Sequence, residues 1–303
     1  MVSLPPNLLF LINPGAGNKE IDWRKEIATY FTGRSDRILL YDIPERCDGQ
    51  TIIDLIRETK PAKVIAVGGD GTIKLVTECI VNTSIPLGIL PAGSANGMAK
   101  ELNISEDPQT ALRTIMEGAI KKIHLVRINE ELCIHLSDIG FNAYVVKKFE
   151  NENKRGMWGY VKAAWKVLWR HSKMQVQLKI ENEIISMNAV MVVIANATRY
   201  GNGVVINPEG SLFDNLFEVV IIKQISFREI FKMRFTQRNF DHRKTLLYQT
   251  RWLQIASNRK AHFQVDGEYR GKINKVNAEI VSDAVNIILP FDKNDGSTSA
   301  RNN

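Results

Sequence analysis

Three short glycine-rich segments carry the residues best suited to bind a phosphate group. They contain Asn13, Gly15 and Gly17 in the first segment, Gly68, Gly69, Asp70, Gly71 and Thr72 in the second, and Gly93, Ser94 and Asn96 in the third. Glycine lets the backbone approach a phosphate closely, and the N-terminus of a following helix supplies free N–H groups and a positive dipole end. Asp70 could hold Mg²⁺ beside a triphosphate, directly or through water. A tight turn, with Asp70 as the N-cap of a helix at 72–81, explains the same residues without a ligand.

Asp266 and Glu268 form a short acidic island within basic sequence. Two carboxyl groups that face one site tend to have a raised pKa, which suits a general base. The dipeptide Asp266-Gly267 is also a strong signal for a hairpin turn. From these residues alone, the hairpin turn is the favoured interpretation.

Strands and helices alternate through the first 124 residues. The apolar pattern predicts strands at 7–12, 37–41, 63–67 and 87–90, and helices at 21–32, 50–59, 72–81, 96–102 and 108–118. This alternation is typical of a mostly parallel sheet, in which the three glycine-rich turns lie together at the carboxyl ends of the strands. Neither GxGxxG nor the P-loop pattern occurs, which disfavours the common dinucleotide and P-loop sites.

Short strands dominate the rest of the chain. They are predicted at 123–128, 132–137, 175–181, 184–195, 216–223, 252–256, 261–266, 277–281 and 285–289, with helices at 157–171 and 226–239. We therefore predict an α/β domain at residues 1–124, a β-rich domain at 125–293 and a disordered tail at 294–303.

The composition is that of a globular protein, with 44% hydrophobic and 24% charged residues. Residues 1–124 carry a net charge of −1 and residues 125–303 one of +8. A basic surface attracts the phosphates of lipids, nucleotides or nucleic acids. No recognition motif for nucleic acid accompanies this charge, so nucleic acid is not an expected partner.

Three cysteines without a CxxC spacing predict free thiols in a reducing compartment. No apolar run approaches the roughly 20 residues of a membrane-spanning helix.

The glycine-rich segments resemble the nucleotide motifs of the diacylglycerol kinase catalytic-domain family, which includes bacterial lipid kinases and sphingosine and ceramide kinases. They read Asn13-Pro14-Gly15-Ala16-Gly17, Gly68-Gly69-Asp70-Gly71-Thr72 and Leu90-Pro91-Ala92-Gly93-Ser94-Ala95-Asn96. The resemblance continues through Gly140-Phe141-Asn142-Ala143, Tyr200-Gly201-Asn202-Gly203 with Pro208, and Val265-Asp266-Gly267-Glu268. It covers nearly the whole chain in the same order.

This resemblance implies a fold of class α/β plus all-β. A Rossmann-like N-terminal domain of the NAD kinase and phosphofructokinase type would bind ATP, and a β-sandwich-like C-terminal domain would bind the lipid, with the site in the cleft between them. The implied reaction transfers the γ-phosphoryl group of ATP, with Mg²⁺, to the hydroxyl of a lipid such as diacylglycerol or a sphingoid or ceramide lipid.

The resemblance also implies roles for individual residues. It makes Asp266 the general base, supported by Glu268, with Asp70 as a third catalytic residue at the nucleotide. Asp214, Leu216 and Glu218 match a metal-binding loop of the family. Phe213 replaces one acid of that loop and Asn215 replaces its glycine, so this match is incomplete.

Several departures from the family pattern leave the acceptor and the activity open. Gly97 replaces the acid that follows the third motif in many bacterial diacylglycerol kinases, and Ser94 matches a serine of sphingosine and ceramide kinases, which favours a sphingoid or ceramide-like acceptor. Lys74-Leu75 stands where the family usually has a polar Asn-Glu pair. An NAD-kinase-like phosphotransferase, and a lipid- or nucleotide-binding protein with weakened catalysis, are the alternatives. Lys74, Gly97 and Phe213 favour the second alternative.

The helix predicted at 157–171 combines tryptophan and positive charge on one face. Its residues there include Trp158, Lys162, Trp165, Lys166, Trp169 and Arg170. Tryptophan with lysine or arginine suits a headgroup interface, although ordinary packing explains the tryptophans equally well. We expect a cytoplasmic protein that is peripheral at the inner membrane face, and a homodimer is compatible with the sequence.

Overall fold

The computed structural model describes residues 7–17, 20–140, 143, 173–200, 204–205, 210–224 and 243–291. The chain forms two units, one of Met1–Ile123 with Asp283–Asn303 and one of His124–Ser282. The first boundary falls close to residue 124, but the C-terminal segment returns to the first unit. The predicted helices at 157–171 and 226–239 and the predicted tail lie outside the described residues.

The first unit is built on a parallel sheet. Its strands are β1 (Asn7–Ile12), β2 (Arg37–Asp42), β3 (Lys63–Gly68) and β4 (Leu87–Pro91), in the spatial order β2-β1-β3-β4. Its helices are α1 (Trp23–Phe31), α2 (Gly49–Thr59), α3 (Asp70–Ile80), α4 (Gly97–Glu101) and α5 (Pro108–Glu117). The far end of the last strand joins this sheet, where Ile287 lies opposite Leu87 in parallel.

The helix starts are encoded locally. Asp22, Asp48 and Asp107 are the N-caps of α1, α2 and α5, and each carboxylate accepts a hydrogen bond from the backbone N–H three residues later. Pro108 follows at the first helical position, where its missing N–H costs nothing. These signals mark the starts of α1, α2 and α5, and all five predicted helices agree with the observed ones to within two residues.

Both faces of the parallel sheet are buried. On one face, Phe10 of β1 packs with Ile27 of α1 and Leu112 of α5 in a single apolar cluster. The alternate residues of β1, Leu9 and Leu11, are equally inaccessible to solvent. Burial on both sides is the arrangement expected of a parallel sheet with connecting helices, and it gives the strand ends a rigid base.

The strand order reverses between β1 and β3, because β2 lies on one side of β1 and β3 on the other. In open α/β sheets, ligands bind outside the carboxyl ends of the strands at such a reversal. The turns after β1 and β3, at 13–17 and 68–72, therefore lie where the fold favours a site.

The second unit is an antiparallel assembly. Its main strands are β7 (Leu136–Gly140), β10 (Met191–Ala195), β13 (Phe217–Ile222), β14 (Thr245–Thr250), β15 (Trp252–Val265) and β16 (Glu268–Leu289). Five of them follow the order β14-β13-β10-β7-β15, and β15 pairs with β16 on its other side. Further strands are β5 (Ala119–Ile128), β6 (Glu131–Cys133), β8 (Met174–Ile180), β9 (Glu183–Ala189), β11 (Arg199–Tyr200) and β12 (Val204–Val205).

Alternating burial places the core of this unit. In β8, Met174, Val176, Leu178 and Ile180 are buried while the residues between them are exposed. They join one cluster with apolar residues of β7, β10, β13 and β15. The alternation is the half-buried pattern of antiparallel sheets, and it made β8 predictable from sequence.

The sequence pattern divided some strands wrongly. The strands predicted at 252–256 and 261–266 form one strand, β15, because an irregularity between Ala256 and Ala261 lets the polar stretch continue the pairing. Likewise 277–281 and 285–289 are parts of β16, whereas 132–137 and 184–195 each contain parts of two strands. The strand at Thr245–Thr250 was not predicted.

The three cysteines are free, as predicted. Burial raises the pKa of Cys79 to about 11, so its thiol is protonated at neutral pH. Among the described helices, none combines the length and the apolar character that crossing a bilayer requires.

Candidate functional site

The turns after β3 and β4 touch backbone to backbone. A Cβ atom on Gly93 would lie 2.5 Å from the Cα of Gly69, and one on Gly69 would lie 3.1 Å from the Cα of Gly93. Real Cβ atoms essentially never come within 3.0 Å of another heavy atom. Glycine at position 93 is therefore what allows the two turns to meet, and a side chain at position 69 would fit only if its neighbours shifted slightly.

Asn13 ties the turn after β1 to helix α3. Its Nδ2 donates to Thr72 Oγ1 at 2.9 Å, and its Oδ1 accepts from Gly15 N at 2.9 Å. A Cβ on Gly17 would collide with Ser94 Oγ, so the turn after β1 also approaches the turn after β4. The three turns lie together, as the alternation of strands and helices predicted.

Thr72 has a packing role that the sequence did not reveal. Its side chain is 5% exposed and covers Gly68, where a Cβ would collide with it. Gly71 is different, because it is exposed and a Cβ there would meet no atom within 4 Å. The open side of this turn is thus at Gly71, in the first turn of α3.

Asp70 does not cap α3. The helix begins at Asp70 itself, with Gly69 as its N-cap, so the predicted N-cap role for a helix at 72–81 is wrong. The Asp70 carboxylate instead accepts hydrogen bonds from Gly97 N at 3.0 Å and Met98 N at 2.8 Å. It thereby caps the start of α4, which follows the third glycine-rich turn.

Asn96 completes the third turn from a buried position. It adopts a left-handed conformation with φ 50°, which asparagine tolerates better than most residues. Its Oδ1 accepts from Gly93 N at 2.8 Å, and its Nδ2 donates to Glu106 Oε1 at 3.1 Å. The side chain fixes the backbone of Gly93 rather than facing solvent.

These turns fit a phosphate group. The first N–H groups of a helix have no partner within the helix, and at α3 they lie beside a glycine cradle that a Cβ would fill. The support for a Mg²⁺ site is weaker than that for a phosphate site, because the described residues contain no group of three or more His, Cys, Asp or Glu side chains that could hold a metal. Asp70 could serve Mg²⁺ only together with phosphate oxygens, which is how Mg²⁺ commonly binds.

Asp266 stands in the tight turn that joins β15 to β16. Val265 pairs with Glu268, and both Asp266 (φ 49°) and Gly267 (φ 85°) are left-handed, so the hairpin interpretation is confirmed. The carboxylate accepts from the backbone N–H groups of Ile134 (3.0 Å), His135 (2.9 Å) and Leu136 (3.3 Å) and from Cys133 Sγ at 3.4 Å. It clamps the segment between β6 and β7.

This clamp bears on the role expected for Asp266. The donors are divided unevenly between the two oxygens, because Oδ1 accepts from Cys133 Sγ, His135 N and Leu136 N, whereas Oδ2 accepts from Ile134 N. Each carboxylate oxygen offers about two acceptor positions, so these bonds crowd Oδ1 more than Oδ2. The general-base role stays a prediction.

Glu268 is exposed and forms an ion pair with Arg270. Arg270 also makes a bidentate pair with Glu131, at 2.7 and 2.6 Å. The hydrogen bonds to Glu131 are the main cause that raises the pKa of Arg270. Glu268 is therefore part of a surface ion-pair network beside the hairpin turn.

The residues predicted to bind metal have separate surroundings. Asp214 is exposed, and its Oδ1 accepts from Leu216 N at 3.2 Å in a local turn. Glu218 is buried in β13, where Oε1 accepts from Gln249 Nε2 at 3.0 Å. The metal site at Asp214, Leu216 and Glu218 stays a prediction, and the tryptophans and cations of 158–170 lie outside the described residues.

Sequence reasoning missed two buried polar groups of the second unit. Asp138 in β7 is 1% exposed, and Gln264 in β15 is completely buried. Their side chains share a hydrogen bond of 2.6 Å. The available signal was the acid itself, directly after the strand predicted at 132–137, because an acid is buried only when it is paired.

His135 and Asn196 present a second unusual feature. Three buried side-chain atoms in the described ranges lack a hydrogen-bond partner, namely Trp23 Nε1, His135 Nε2 and Asn196 Oδ1. Asn196 N donates to His135 O at 2.8 Å and continues the β7–β10 register, so the two side chains lie on one face of the sheet. An ordered water or a ligand hydroxyl would satisfy such atoms.

Two families match this chain along most of its length. Residues 7–128 match the family described as diacylglycerol kinase catalytic domain, and residues 137–289 match the one described as YegS C-terminal NAD kinase beta sandwich-like domain. These matches confirm the predicted fold class, with an α/β N-terminal part and a β-sandwich-like C-terminal part.

Curated relatives carry kinase names. A "probable lipid kinase YegS" of Salmonella newport is 25% identical over 276 residues, which is 88% of this chain and 91% of that protein. A "probable lipid kinase YegS-like" protein of Chromohalobacter salexigens is 26% identical over 73% of this chain and 74% of its own length. An uncharacterized protein of Synechocystis is 27% identical, and the chain spans 55% of its length.

Solved structures share the fold at low sequence identity. A diacylglycerol kinase from Bacillus anthracis superposes with a TM-score of 0.73 at 14% identity, covering 94% of this chain and 97% of that one. An NAD kinase from Archaeoglobus fulgidus in complex with ATP has a TM-score of 0.54 at 13% identity, covering 93% of each chain.

Proposed function

Because this chain belongs to the diacylglycerol kinase catalytic-domain family, we propose that it is an ATP-dependent lipid kinase. It transfers the γ-phosphoryl group of ATP to the hydroxyl of a lipid. The first unit binds ATP through the three glycine-rich turns, and the second unit provides the lipid acceptor site.

The contact between Gly69 and Gly93 is the observation that carries this proposal. A side chain at position 93 would collide with the backbone of Gly69, and helix α3 begins at the next residue, Asp70. An anion there meets backbone N–H groups and a positive helix end. A bound triphosphate would explain why the backbones of Gly69 and Gly93 lie in contact at this place.

Asp70 would hold Mg²⁺ together with phosphate oxygens, and the metal would neutralise charge that develops on the phosphates. The carboxylate is already fixed by the N–H groups of Gly97 and Met98, so it is positioned before any ligand arrives. A carboxylate that is already fixed does not have to be reoriented when the reaction occurs, which lowers the free energy of the transition state.

In the proposed reaction, the acceptor oxygen forms a bond to the γ-phosphorus while the bond from that phosphorus to the ADP oxygen breaks. The hydroxyl proton passes to a base, for which Asp266 is the residue that the family motif suggests. Of its two oxygens, Oδ1 accepts from the N–H groups of His135 and Leu136, whereas Oδ2 accepts from that of Ile134.

The acceptor is proposed to be diacylglycerol or a sphingoid or ceramide lipid. Ser94 and Gly97 favour the second class by their similarity to sphingosine and ceramide kinases. The lipid would be reached from a membrane surface through the tryptophans and cations of 158–170. Replacing Trp165 and Trp169 with Ala should then lower co-sedimentation with anionic vesicles, and unchanged co-sedimentation would reject that surface.

The test of the proposed function is transfer of ³²P from γ-labelled ATP, with Mg²⁺, to diacylglycerol, sphingosine and ceramide presented in mixed micelles. NAD is included because the fold is shared with an NAD kinase. Labelled lipid supports the proposal. Labelled NADP alone would assign the NAD-kinase alternative, and ATP binding without any transfer would assign a binding protein.

A further inference from the structure

A chain of buried hydrogen bonds leads from β7 to the turn that contains Asp266. Gln264 Nε2 donates to Asp138 Oδ2 at 2.6 Å, and Gln264 Oε1 accepts from Gly267 N at 2.7 Å. Asp138 and Gln264 are at most 1% exposed. The carboxylate at 138 thus fixes which way the Gln264 amide faces, and the amide in turn holds the backbone of the turn.

Asp138 also holds the segment that follows β7. Its Oδ1 accepts from Ala143 N at 2.8 Å, in the Gly140-Phe141-Asn142-Ala143 motif. Ser137 Oγ donates to Gln264 O at 2.5 Å and anchors the strand beside it. Ala143 and the segment 264–267 are therefore both held by one buried carboxylate.

A buried carboxylate is costly, and closing the hairpin does not require one. An Asp-Gly pair closes a two-residue turn by its own backbone preference. Apolar side chains of similar volume are often as stabilising as a buried polar pair. The network therefore suggests a demand for accurate placement of the turn rather than for stability alone.

We propose that Asp138 and Gln264 are positioning residues that hold the Asp266-Gly267 turn, and with it the carboxylates of Asp266 and Glu268, in the arrangement that phosphoryl transfer requires. This proposal rests on the lipid kinase function proposed above. It assigns the two residues no contact with the substrate.

The polarity of the hydrogen bonds makes the proposal testable without a change in side-chain size. In Asp138→Asn, one amide must face two donors, Gln264 Nε2 and Ala143 N, so one bond is lost. In Gln264→Glu, two carboxylates face each other. In the double variant, the new amide at position 138 can donate to the new carboxylate at position 264, which still accepts from Gly267 N. Every bond of the chain is then restored, with the first one reversed.

The experiment measures kcat and KM for the lipid, the Kd for ATP, and thermal unfolding, at a temperature where each variant is folded. Each single variant should lose at least tenfold in kcat with ATP binding within twofold of the wild type. The double variant should recover to within about threefold of the wild-type kcat. Ser257→Ala is the matched control, because it removes the hydrogen bond from Ser257 Oγ to Arg259 O elsewhere in β15 and leaves the bonds among Asp138, Gln264 and Gly267 unchanged, so its kcat should stay within twofold.

Two results would overturn the positioning role. One is single variants that are folded and turn over lipid like the wild type. The other is a loss in the single variants that the double variant does not restore. If a single variant does not fold, the double variant still tests the positioning role. It should fold and phosphorylate lipid only if the restored hydrogen bonds are what the single variant lacked. The wild-type protein is assayed first. If it phosphorylates no lipid, the result contradicts the proposed function and not the positioning role.

Discussion

The Cα of Gly69 lies 2.5 Å from the place where a Cβ on Gly93 would be built. This contact joins the turns after β3 and β4, and Asn13 joins the turn after β1 to the same region through Thr72. The nucleotide site proposed here is thus formed by backbone, and side chains set its shape from outside. Substitutions that add a single carbon are the most direct probes of it.

Gly93→Ala should weaken ATP binding by at least tenfold and lower the unfolding temperature. The new methyl group collides with backbone, so the two turns must separate. Titration calorimetry with ATP and a thermal unfolding curve measure the two effects. Gly49→Ala, at the first residue of α2, is the control. If Gly93→Ala binds ATP as tightly as the wild type, the contact between the two turns has no role in ATP binding.

Gly71→Ala should weaken ATP binding without lowering the unfolding temperature. The methyl group meets no protein atom within 4 Å, and alanine favours a helix over glycine by up to about 1 kcal/mol. Any loss of affinity therefore comes from crowding of the ligand. The same calorimetry and unfolding curves apply, and unchanged ATP affinity would place the phosphates elsewhere.

Asp70→Ala should destabilise the first unit by about 0.5–2 kcal/mol, the usual cost of losing a helix cap. Two backbone N–H groups, of Gly97 and Met98, lose their acceptor. Asp70→Asn should lie between this variant and the wild type, because one amide oxygen remains. Urea unfolding measures the free energy, and the binding of ATP with Mg²⁺ should weaken in both variants. Stability equal to the wild type in Asp70→Ala would contradict the cap.

Asp266→Asn should abolish turnover, leave ATP binding intact and destabilise the second unit. The new amide N–H₂ faces at least one of the backbone donors that the carboxylate accepted, which leaves a buried bond unmade at a cost of about 1–3 kcal/mol. Turnover is therefore measured where the variant is still folded. Full activity of the folded variant would remove Asp266 from the base role, and unchanged stability would argue against the clamp.

Much of this architecture is readable from the sequence because its signals are local. The aspartates that cap α1, α2 and α5, the period of β8 and the Asp266-Gly267 turn each act over a few residues. Three glycine-rich turns after three strands also suffice to bring the turns together, since parallel strands end at one edge.

Other features depend on contacts between distant segments, which no local pattern records. Asp70 caps α4 rather than α3 because the third turn folds back onto it, 27 residues along the chain. The return of the last strand to Leu87, and the pairing of Asp138 with Gln264 across 126 residues, are of the same kind. The sequence shows that Asp70, Asp138 and Gln264 are polar, but only the fold shows which residue each one bonds to.

The most direct test of the nucleotide site is a crystal structure of the protein with a non-hydrolysable ATP analogue and Mg²⁺. We expect the β- and γ-phosphates at the N-terminus of α3, against Gly69, Gly71 and Gly93, with Asp70 as the residue that would hold Mg²⁺ beside them. Phosphates bound away from the three turns, with the turns empty of ligand, would contradict this expectation.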